Sequence, residues 1–171
     1  LEQVTGAMSD FAEAALSVAA AHLLRQSARA EAFSLPHADD PEKESGLVIL
    51  GLGKLGSREL NYSSDIDFIV LYDPDKFETE DTSALHNHVV RLTRNLIKLM
   101  EERTTDGYVF RTDLRLRPDP GSTPIALSVV AAETYYESLG QNWERAAMIK
   151  ARPVAGDRSA GRAFLKWLGP F

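Results

Sequence analysis

The sequence predicts an α/β (α+β) fold in which helices surround a small mixed sheet of about four to five strands. Three short runs of apolar and β-branched residues, at 47–50, 66–72 and 108–114, are typical of strands. From Thr82 to Arg103, apolar residues recur every three or four positions, which is typical of a helix with one buried stripe. The chain has 171 residues and no cysteine, and its length alone lets it bury a core without disulfides.

The region before the first strand is predicted to be a helical segment, residues 1–34, followed by a linker, residues 35–46. Alanine is abundant in a helix expected over 9–33, and Ser9 is suited to cap it. The linker is polar and contains two prolines, which disfavour regular structure. Because the chain starts with leucine rather than methionine, we expect it to be part of a longer protein.

The principal domain is predicted to span residues 47–157. Beyond the third strand, two helices are expected near 129–139 and 142–150. Residues 158–171 are expected to start a C-terminal helical region, with Asp157 as the cap of its first helix. The buried stripe of the long central helix is predicted to consist of Leu85, Val89, Leu92, Leu96 and Leu99.

The net charge of −6 disfavours a general nucleic-acid binder, because such proteins need cationic surfaces to hold phosphates. Basic residues are nevertheless concentrated locally. Residues 141–171 contain six basic and two acidic side chains, and residues 111–117 contain three arginines and one aspartate. A local cationic surface in an acidic protein favours a small phosphate-bearing ligand. The sequence has no apolar run close to the ~20 residues that a membrane-spanning helix requires.

Three carboxylates form the first candidate site. Asp65 and Asp67 stand at the start of the second strand, and residues two apart on a strand face the same side. Such carboxylates repel each other unless a cation lies between them, and a hard divalent cation such as Mg²⁺ or Mn²⁺ suits oxygen ligands. Asp113 lies in the third strand and completes a cup of three carboxylates if these strands are neighbours. In the alternative, Asp65 caps a turn and Asp67 is solvated.

The glycine-rich turn Gly51–Gly56 fits the pattern G-x-G-x-x-G after a strand, and Asp73 lies near the distance of a ribose-binding acid. This pattern suggests a dinucleotide-binding oxidoreductase as one alternative. Residues 57–64 are, however, too few and too polar for the crossover helix of that fold. The following strand also begins with two aspartates, where a buried parallel strand should be apolar. The Gly-Lys-Ser/Thr ending of a P-loop is absent as well.

A different phosphate-binding arrangement suits this turn better. Backbone N–H groups at Gly53 and Gly56 are free to approach a phosphate, and a short helix expected after Gly56 adds its positive end. Ser57 supplies a hydroxyl and Lys54 a cation. A strand, a glycine turn, a short helix, an Asp-x-Asp strand and a third acidic strand are the layout of polymerase-beta-type nucleotidyltransferases. Metals in such sites stabilise charge on the attacking and leaving oxygens.

Three blocks of sequence resemble the glutamine-synthetase adenylyltransferase (glutamate–ammonia-ligase adenylyltransferase) family: GLGKLGSRELNYSSDIDFIVLYD, DGYVFRTDLRLRPDPGSTPIALS and NWERAAMIKARPVAGD. The resemblance implies a large bacterial enzyme with two nucleotidyltransferase halves. One half adds AMP to a tyrosine of glutamine synthetase, and the other removes it by phosphorolysis and releases ADP. The wording of residues 61–65, 106–118 and 143–150 is more similar to the N-terminal, adenylyl-removing half. The adenylylating half and a non-catalytic nucleotide-binding regulatory module remain alternatives.

The resemblance also implies residue roles. Asp65, Asp67 and Asp113 would be catalytic and hold Mg²⁺, with Mn²⁺ as the alternative. Because residues 113, 115 and 117 share a period of two, Arg115 and Arg117 are predicted to face the same side as Asp113. There they would either clamp a phosphate or pair with the aspartates. The full set implied to bind phosphate or nucleotide is Gly53, Lys54, Gly56, Ser57, Arg115, Arg117, Lys150 and Arg152.

The partners implied are glutamine synthetase, a nucleotide (ATP, ADP or AMP) and inorganic phosphate. A nitrogen-signalling regulatory protein is expected to act through the full-length enzyme. We expect a cytoplasmic location, with neither nucleic acid nor membrane as a partner.

Overall fold

The computed structural model describes residues 2–169, which form a five-stranded mixed sheet with six α-helices around it. The predicted fold class and sheet size are confirmed. In chain order the elements are α1 (Glu2–Arg29), β1 (Leu47–Gly51), α2 (Gly53–Gly56), β2 (Ile66–Tyr72), a 3₁₀ turn (Pro74–Lys76), α3 (Thr82–Glu101), β3 (Thr112–Asp113), β4 (Ala126–Ser128), α4 (Val129–Ser138), α5 (Asn142–Met148), β5 (Arg152–Gly156) and α6 (Arg158–Leu168).

Strand β2 is the centre of the sheet. The strand order is β3-β2-β1-β5, and β4 also pairs with β2. β1 is antiparallel to β2 and β5, whereas β3 and β4 are parallel to β2. Because side chains alternate along β1, Leu47 and Ile49 join a core with α1 and α3, while Val48 and Leu50 join a core with α4 and α6. Helices therefore cover both faces, which explains why β1 and most of β2 are apolar.

Helix α1 begins at Glu2 and ends at Arg29, so the helix predicted over 9–33 has the wrong bounds. Ser9 does not cap it. Its fully buried hydroxyl donates to the carbonyl of Thr5 and accepts from the backbone N–H of Leu60. Because α1 contributes to the same core as β1 and β2, it is structurally continuous with them. The proposed division into segments stays a prediction. Within residues 2–169, neither α1 nor any other helix combines the length and apolar character needed to cross a membrane.

Helix α3 confirms most of the predicted stripe. Asp81 caps its start by accepting hydrogen bonds from the N–H groups of Ser83 and Ala84. Leu85, Val89, Leu92 and Leu96 are buried as expected. Leu99 is exposed instead, and Met100 is buried in its place. The last turn of the helix thus continues the stripe at a spacing of four residues from Leu96 rather than three.

The third predicted strand is much shorter than residues 108–114. Only Thr112 and Asp113 form β3, because the N–H groups of Val109 and Phe110 donate to the carbonyl of Met100 at the end of α3. Strands β4 and β5 were not predicted. Both are short, and the pairing of β5 with β1 contains a register shift. The helices expected near 129–139 and 142–150 are present as α4 and α5. Asp157 caps α6 through the N–H of Ala160, as predicted.

Candidate active site

The three predicted carboxylates lie at one edge of the sheet. β2 and β3 run parallel, and Asp67 is the register partner of Asp113. Asp65 precedes β2 by one residue and stands two positions before Asp67. All three carboxylates line one open pocket of about 420 Å³ together with Gly53 and Lys54. The expectation that the acidic strands are neighbours is therefore confirmed.

The glycine turn packs directly against Asp67. Gly53 is the first residue of α2 and has a φ of +50°, a conformation that side chains other than hydrogen disfavour. A Cβ atom at Gly53 would also lie only 2.7 Å from Oδ2 of Asp67. The backbone N–H of Leu52 donates to the carbonyl of Asp67 at 2.9 Å. The glycine turn and the Asp-x-Asp strand β2 are thus held together, and only glycine fits at position 53 between them.

Of the three carboxylates, only that of Asp67 is not paired with an arginine among the described residues. Burial raises the pKa of its carboxyl, and the negative charges of Asp113 and Asp65 raise it further, against a smaller opposing effect of Arg115 and Lys54. Within residues 2–169, no side chain or backbone group donates a hydrogen bond to this carboxylate. A carboxylate in this situation is stabilised by a cation that enters the pocket.

Asp65 and Asp113 are instead paired with arginines. Arg115 lies 2.5 Å from Oδ2 of Asp113 through Nη2, and this pairing lowers the pKa of Asp113. Arg111 donates from Nε to Asp65 at 2.5 Å and from Nη2 to the carbonyl of Ser63 at 2.7 Å. The sequence analysis did not assign Arg111 to the site. Its position two residues before Asp113 in a strand-like segment is the signal that would have found it.

The donor set at this pocket fits a divalent cation by charge and by chemistry. Three carboxylates supply oxygen ligands, and Asp67 has no hydrogen-bond donor of its own among the described residues. Across residues 2–169, however, no three histidine or acidic side chains are already arranged as the ligands of one metal ion. Asp65 is instead paired with Arg111, and Asp113 with Arg115. The binding of Mg²⁺ stays a prediction, and these three aspartates are the residues that would hold it.

The residues predicted to hold phosphate divide into two groups. Gly53 and Lys54 line the carboxylate pocket. Gly56 and Ser57 do not line this pocket. The short helix α2 begins at Gly53 and ends at Gly56, so the prediction of a helix after Gly56 is wrong. The Ser57 hydroxyl lies 3.0 Å from the carbonyl of Gly53 and 2.7 Å from Oε2 of Glu59. Ser57 thus closes the turn from within rather than facing the pocket.

Arg117 does not share the face of Asp113. Because β3 ends at Asp113, the alternation assumed for residues 113, 115 and 117 is wrong beyond that point. The Arg117 guanidinium faces the loop that follows it and donates to four backbone carbonyls, those of Leu114, Pro120, Thr123 and Pro124. In this structure Arg117 organises the loop between β3 and β4.

Arg152 supports the glycine turn from behind. It donates to the carbonyl of Gly56 from Nε at 3.2 Å and lies 3.4 Å from the carbonyl of Leu55 through Nη2. Its Nη1 lies 2.6 Å from Oε2 of Glu13 in α1. Arg152 therefore ties the turn to the N-terminal helix. Lys150, which was also predicted to clamp phosphate, is exposed and lies 3.6 Å from Glu59.

We expect Arg152→Met to destabilise the protein by about 2 kcal/mol, because the half-buried carbonyls of the turn and Glu13 lose their charged donor. Urea unfolding measures the change. Arg162→Met is the matched control, since Arg162 is exposed on α6 and makes no hydrogen bond or ion pair within residues 2–169. The control should change the unfolding free energy by less than about 0.5 kcal/mol. Equal effects of the two variants would contradict the role given to Arg152.

A larger depression of about 810 Å³ lies between the end of α1 and the start of α3. Its lining includes four acidic residues, Glu31, Glu78, Glu80 and Asp81. Because negative charge repels phosphate, this depression is a poor site for a nucleotide despite its size. In the carboxylate pocket, Lys54, Arg111 and Arg115 offset the charge of the three aspartates, so this pocket is the better candidate.

A glycine turn packed against an Asp-x-Asp strand, with a third aspartate in register on the neighbouring strand, defines a nucleotidyltransferase-type fold. Comparison with known proteins agrees. Residues 1–167 match the family model described as glutamate-ammonia ligase adenylyltransferase, and the chain belongs to this family.

Several curated relatives carry the name bifunctional glutamine synthetase adenylyltransferase/adenylyl-removing enzyme. The chain is 58% identical to the protein of this name from Rhizobium meliloti (strain 1021) over 169 residues, which cover 99% of the chain and 17% of the relative. It is 59% identical to that of Bartonella quintana (strain Toulouse) over 159 residues, or 93% of the chain and 16% of the relative. The chain thus spans about 17% of the length of these relatives.

Proposed function

We propose that this chain carries a metal-dependent nucleotidyltransferase site that removes AMP from an adenylylated tyrosine of glutamine synthetase and releases ADP. Membership of the family supports the proposal, and one observation carries it. Asp67 and Asp113 are register partners, and Gly53 lies against Asp67, so carboxylates and phosphate-binding turn share one pocket. The relatives are named for both adenylylation and its reversal. The wording of residues 61–65 and 106–118 favours the removing direction.

The proposed reaction is a phosphorolysis. An oxygen of inorganic phosphate forms a bond to the phosphorus of the tyrosyl-AMP phosphodiester, the bond from phosphorus to the tyrosine oxygen breaks, and that oxygen takes up a proton. Lys54 and the backbone of Gly53 would hold phosphate oxygens, and both line the carboxylate pocket. Arg111 and Arg115 neutralise part of the charge that the carboxylates bring to the pocket. Mg²⁺ bound by Asp65, Asp67 and Asp113 would stabilise charge on the attacking and leaving oxygens.

The wider partners of the longer protein belong to the same proposal. Glutamine synthetase is the protein substrate, and ADP, ATP or AMP is the nucleotide. A nitrogen-signalling regulatory protein acts through the full-length enzyme.

The experiment measures ADP release by the chain from adenylylated glutamine synthetase with phosphate and Mg²⁺. We expect ADP that requires phosphate, because phosphate is the nucleophile. The control omits phosphate and should yield no ADP. Transfer of AMP from ATP to unmodified glutamine synthetase, without ADP release from the adenylylated form, would assign the chain to the adenylylating half. Absence of both reactions, with nucleotide binding retained, would contradict the enzyme proposal and favour the regulatory module.

A further inference from the structure

A group of apolar side chains adjoins the carboxylate pocket, and we call it the aromatic patch. Phe11, Tyr62, Tyr108 and Val109 are its exposed members, and half-buried Met8 and buried Phe110 form its base. Tyr62 is 79% exposed and Phe11 is 57% exposed, so both stand out from the surface. Aromatic side chains exposed together are typical of interaction surfaces, because they bury large areas at a low cost in side-chain entropy. The catalytic proposal gives the patch no role.

The patch is an organised surface. The rings of Phe11 and Phe110 pack with their centroids 5.6 Å apart, which joins α1 to the segment before β3. The guanidinium of Arg103 lies 5.5 Å from the ring centroid of Tyr108 and restricts that ring. Together these side chains surround a depression of about 220 Å³.

The patch is continuous with the proposed active site on one particular side. Ser63, Ser64 and Arg111 line both the depression of the patch and the carboxylate pocket. Gly53 and Lys54 line only the carboxylate pocket. The patch therefore adjoins the carboxylate pocket where Arg111 pairs with Asp65. The Lys54 side chain reaches Ser64 at the same boundary, whereas Gly53 lies beyond it.

We propose that the aromatic patch docks the segment of the protein substrate that carries the adenylylated tyrosine. This inference rests on the proposed function. In an in-line displacement, the attacking and leaving oxygens lie on opposite sides of the phosphorus. With the attacking phosphate at the backbone of Gly53, which does not line the patch, the tyrosine leaves on the side of Arg111, which does. A segment with apolar side chains flanking its tyrosine fits this surface, and Arg111 stands where segment and phosphodiester meet.

The adenine base is the other ligand that aromatic side chains would accept, because bases stack on them. The exposure of the patch favours the protein segment. Small-molecule sites bury most of their ligand in pockets of ~300–1,000 Å³, whereas Tyr62 and Phe11 project outwards around a depression of only about 220 Å³. Projecting aromatic side chains suit a larger partner that covers them.

The test uses the double variant Phe11→Ser/Tyr62→Ser and two substrates. One is adenylylated glutamine synthetase, and the other is the small ester N-acetyl-O-adenylyl-tyrosine amide. We expect kcat/KM for the protein substrate to fall by about 30-fold, as for the loss of aromatic hot-spot residues. The loss on the small ester should be at least tenfold smaller. Val18→Ser is the matched control, because Val18 is 72% exposed on α1 and lies outside the patch.

Two outcomes would overturn the proposal. An equal loss on both substrates would assign the patch to the nucleotide, and no loss on the protein substrate would leave it without the docking role. If the unaltered chain turns over neither substrate, the proposed function fails, and docking is then measured by direct binding to adenylylated glutamine synthetase. Binding of the double variant as tight as that of the unaltered chain would overturn the docking proposal on its own.

Discussion

Asp67→Asn is expected to lower the proposed release of ADP from adenylylated glutamine synthetase by at least ~100-fold, because the variant would lose a carboxylate that we propose as a metal ligand and with it several kcal/mol of charge stabilisation. The fold should be retained. The Asp67 carboxylate accepts no hydrogen bond within residues 2–169, its backbone carbonyl keeps the bond from Leu52, and its neighbours Asp113 and Asp65 repel its charge. An asparagine of the same shape keeps the packing against Gly53 and removes that repulsion. Loss of activity should therefore come with equal or greater stability.

The pH dependence follows from the raised pKa of Asp67. A carboxyl whose pKa is higher in the folded than in the unfolded chain binds more protons when folded, so its contribution to stability falls as pH rises. The free energy of unfolding of Asp67→Asn, relative to that of the unaltered chain, should thus increase as pH rises from the ordinary carboxyl pKa of 3.8 through the higher pKa of Asp67 in the folded chain. Urea unfolding at several pH values measures it. The contribution of Asp113 to stability should change with pH in the opposite direction and rise as pH rises, because Arg115 lowers the pKa of Asp113.

Asp106→Asn is the matched control, because Asp106 is exposed in the turn before the aromatic patch and does not line the carboxylate pocket. It should retain full activity. Full turnover by Asp67→Asn with an intact fold would remove Asp67 from the mechanism. A titration with Mn²⁺ gives a second readout, since the variant should bind the ion more weakly than the control.

Gly56→Ala should destabilise the chain by about 3 kcal/mol, at the upper end of the cost of overpacking. A Cβ at this position would overlap the carbonyl oxygen of Lys150 and lie 2.8 Å from that of Gly51. Both obstacles are backbone atoms, so no side-chain rotation relieves them. The turn would have to move away from β1 and from the chain entering β5. Because the same turn carries Gly53, activity should fall along with stability.

Gly6→Ala provides the control for that experiment. Gly6 lies in α1, and a Cβ there would meet nothing within 4 Å. Alanine within a helix is favoured over glycine by about 1 kcal/mol, so the control should be neutral or slightly stabilising. Urea unfolding of both variants gives the comparison. A Gly56→Ala protein as stable as the Gly6→Ala protein would show that the turn has room to adjust.

The parts of the fold that could be predicted have strong local signals. β2 spans Ile66–Tyr72 as expected, because seven consecutive residues after Asp65 are mostly apolar and β-favouring. Helix α6 starts after its predicted cap, Asp157, because a side-chain oxygen before a helix satisfies a free N–H wherever it occurs. β4 and β5 were missed, since three to five residues carry too little periodicity to separate strand from loop.

The candidate site also contains residues that could be predicted and residues that could not. Asp65, Asp67 and Asp113 were found from their spacing and their strands, and the register of β2 and β3 brings them together. The arginines were placed less well. A long flexible side chain has many possible partners, and the alternation rule fails where a strand ends. Arg117 turned towards its own loop and Arg152 towards α1.

By itself, the sequence determined the class of fold, the order of the main elements, and a glycine turn followed by three aspartates. These features depend on local periodicity, capping and residue chemistry, which act over a few neighbouring positions. Only the tertiary structure decided which charges meet. Residues far apart in the chain meet where Arg111 pairs with Asp65 and where Arg152 and Glu13 support the turn. The aromatic patch likewise combines α1, the loop before β2 and the segment before β3. Such contacts depend on how helices and strands pack, and local sequence does not specify that packing.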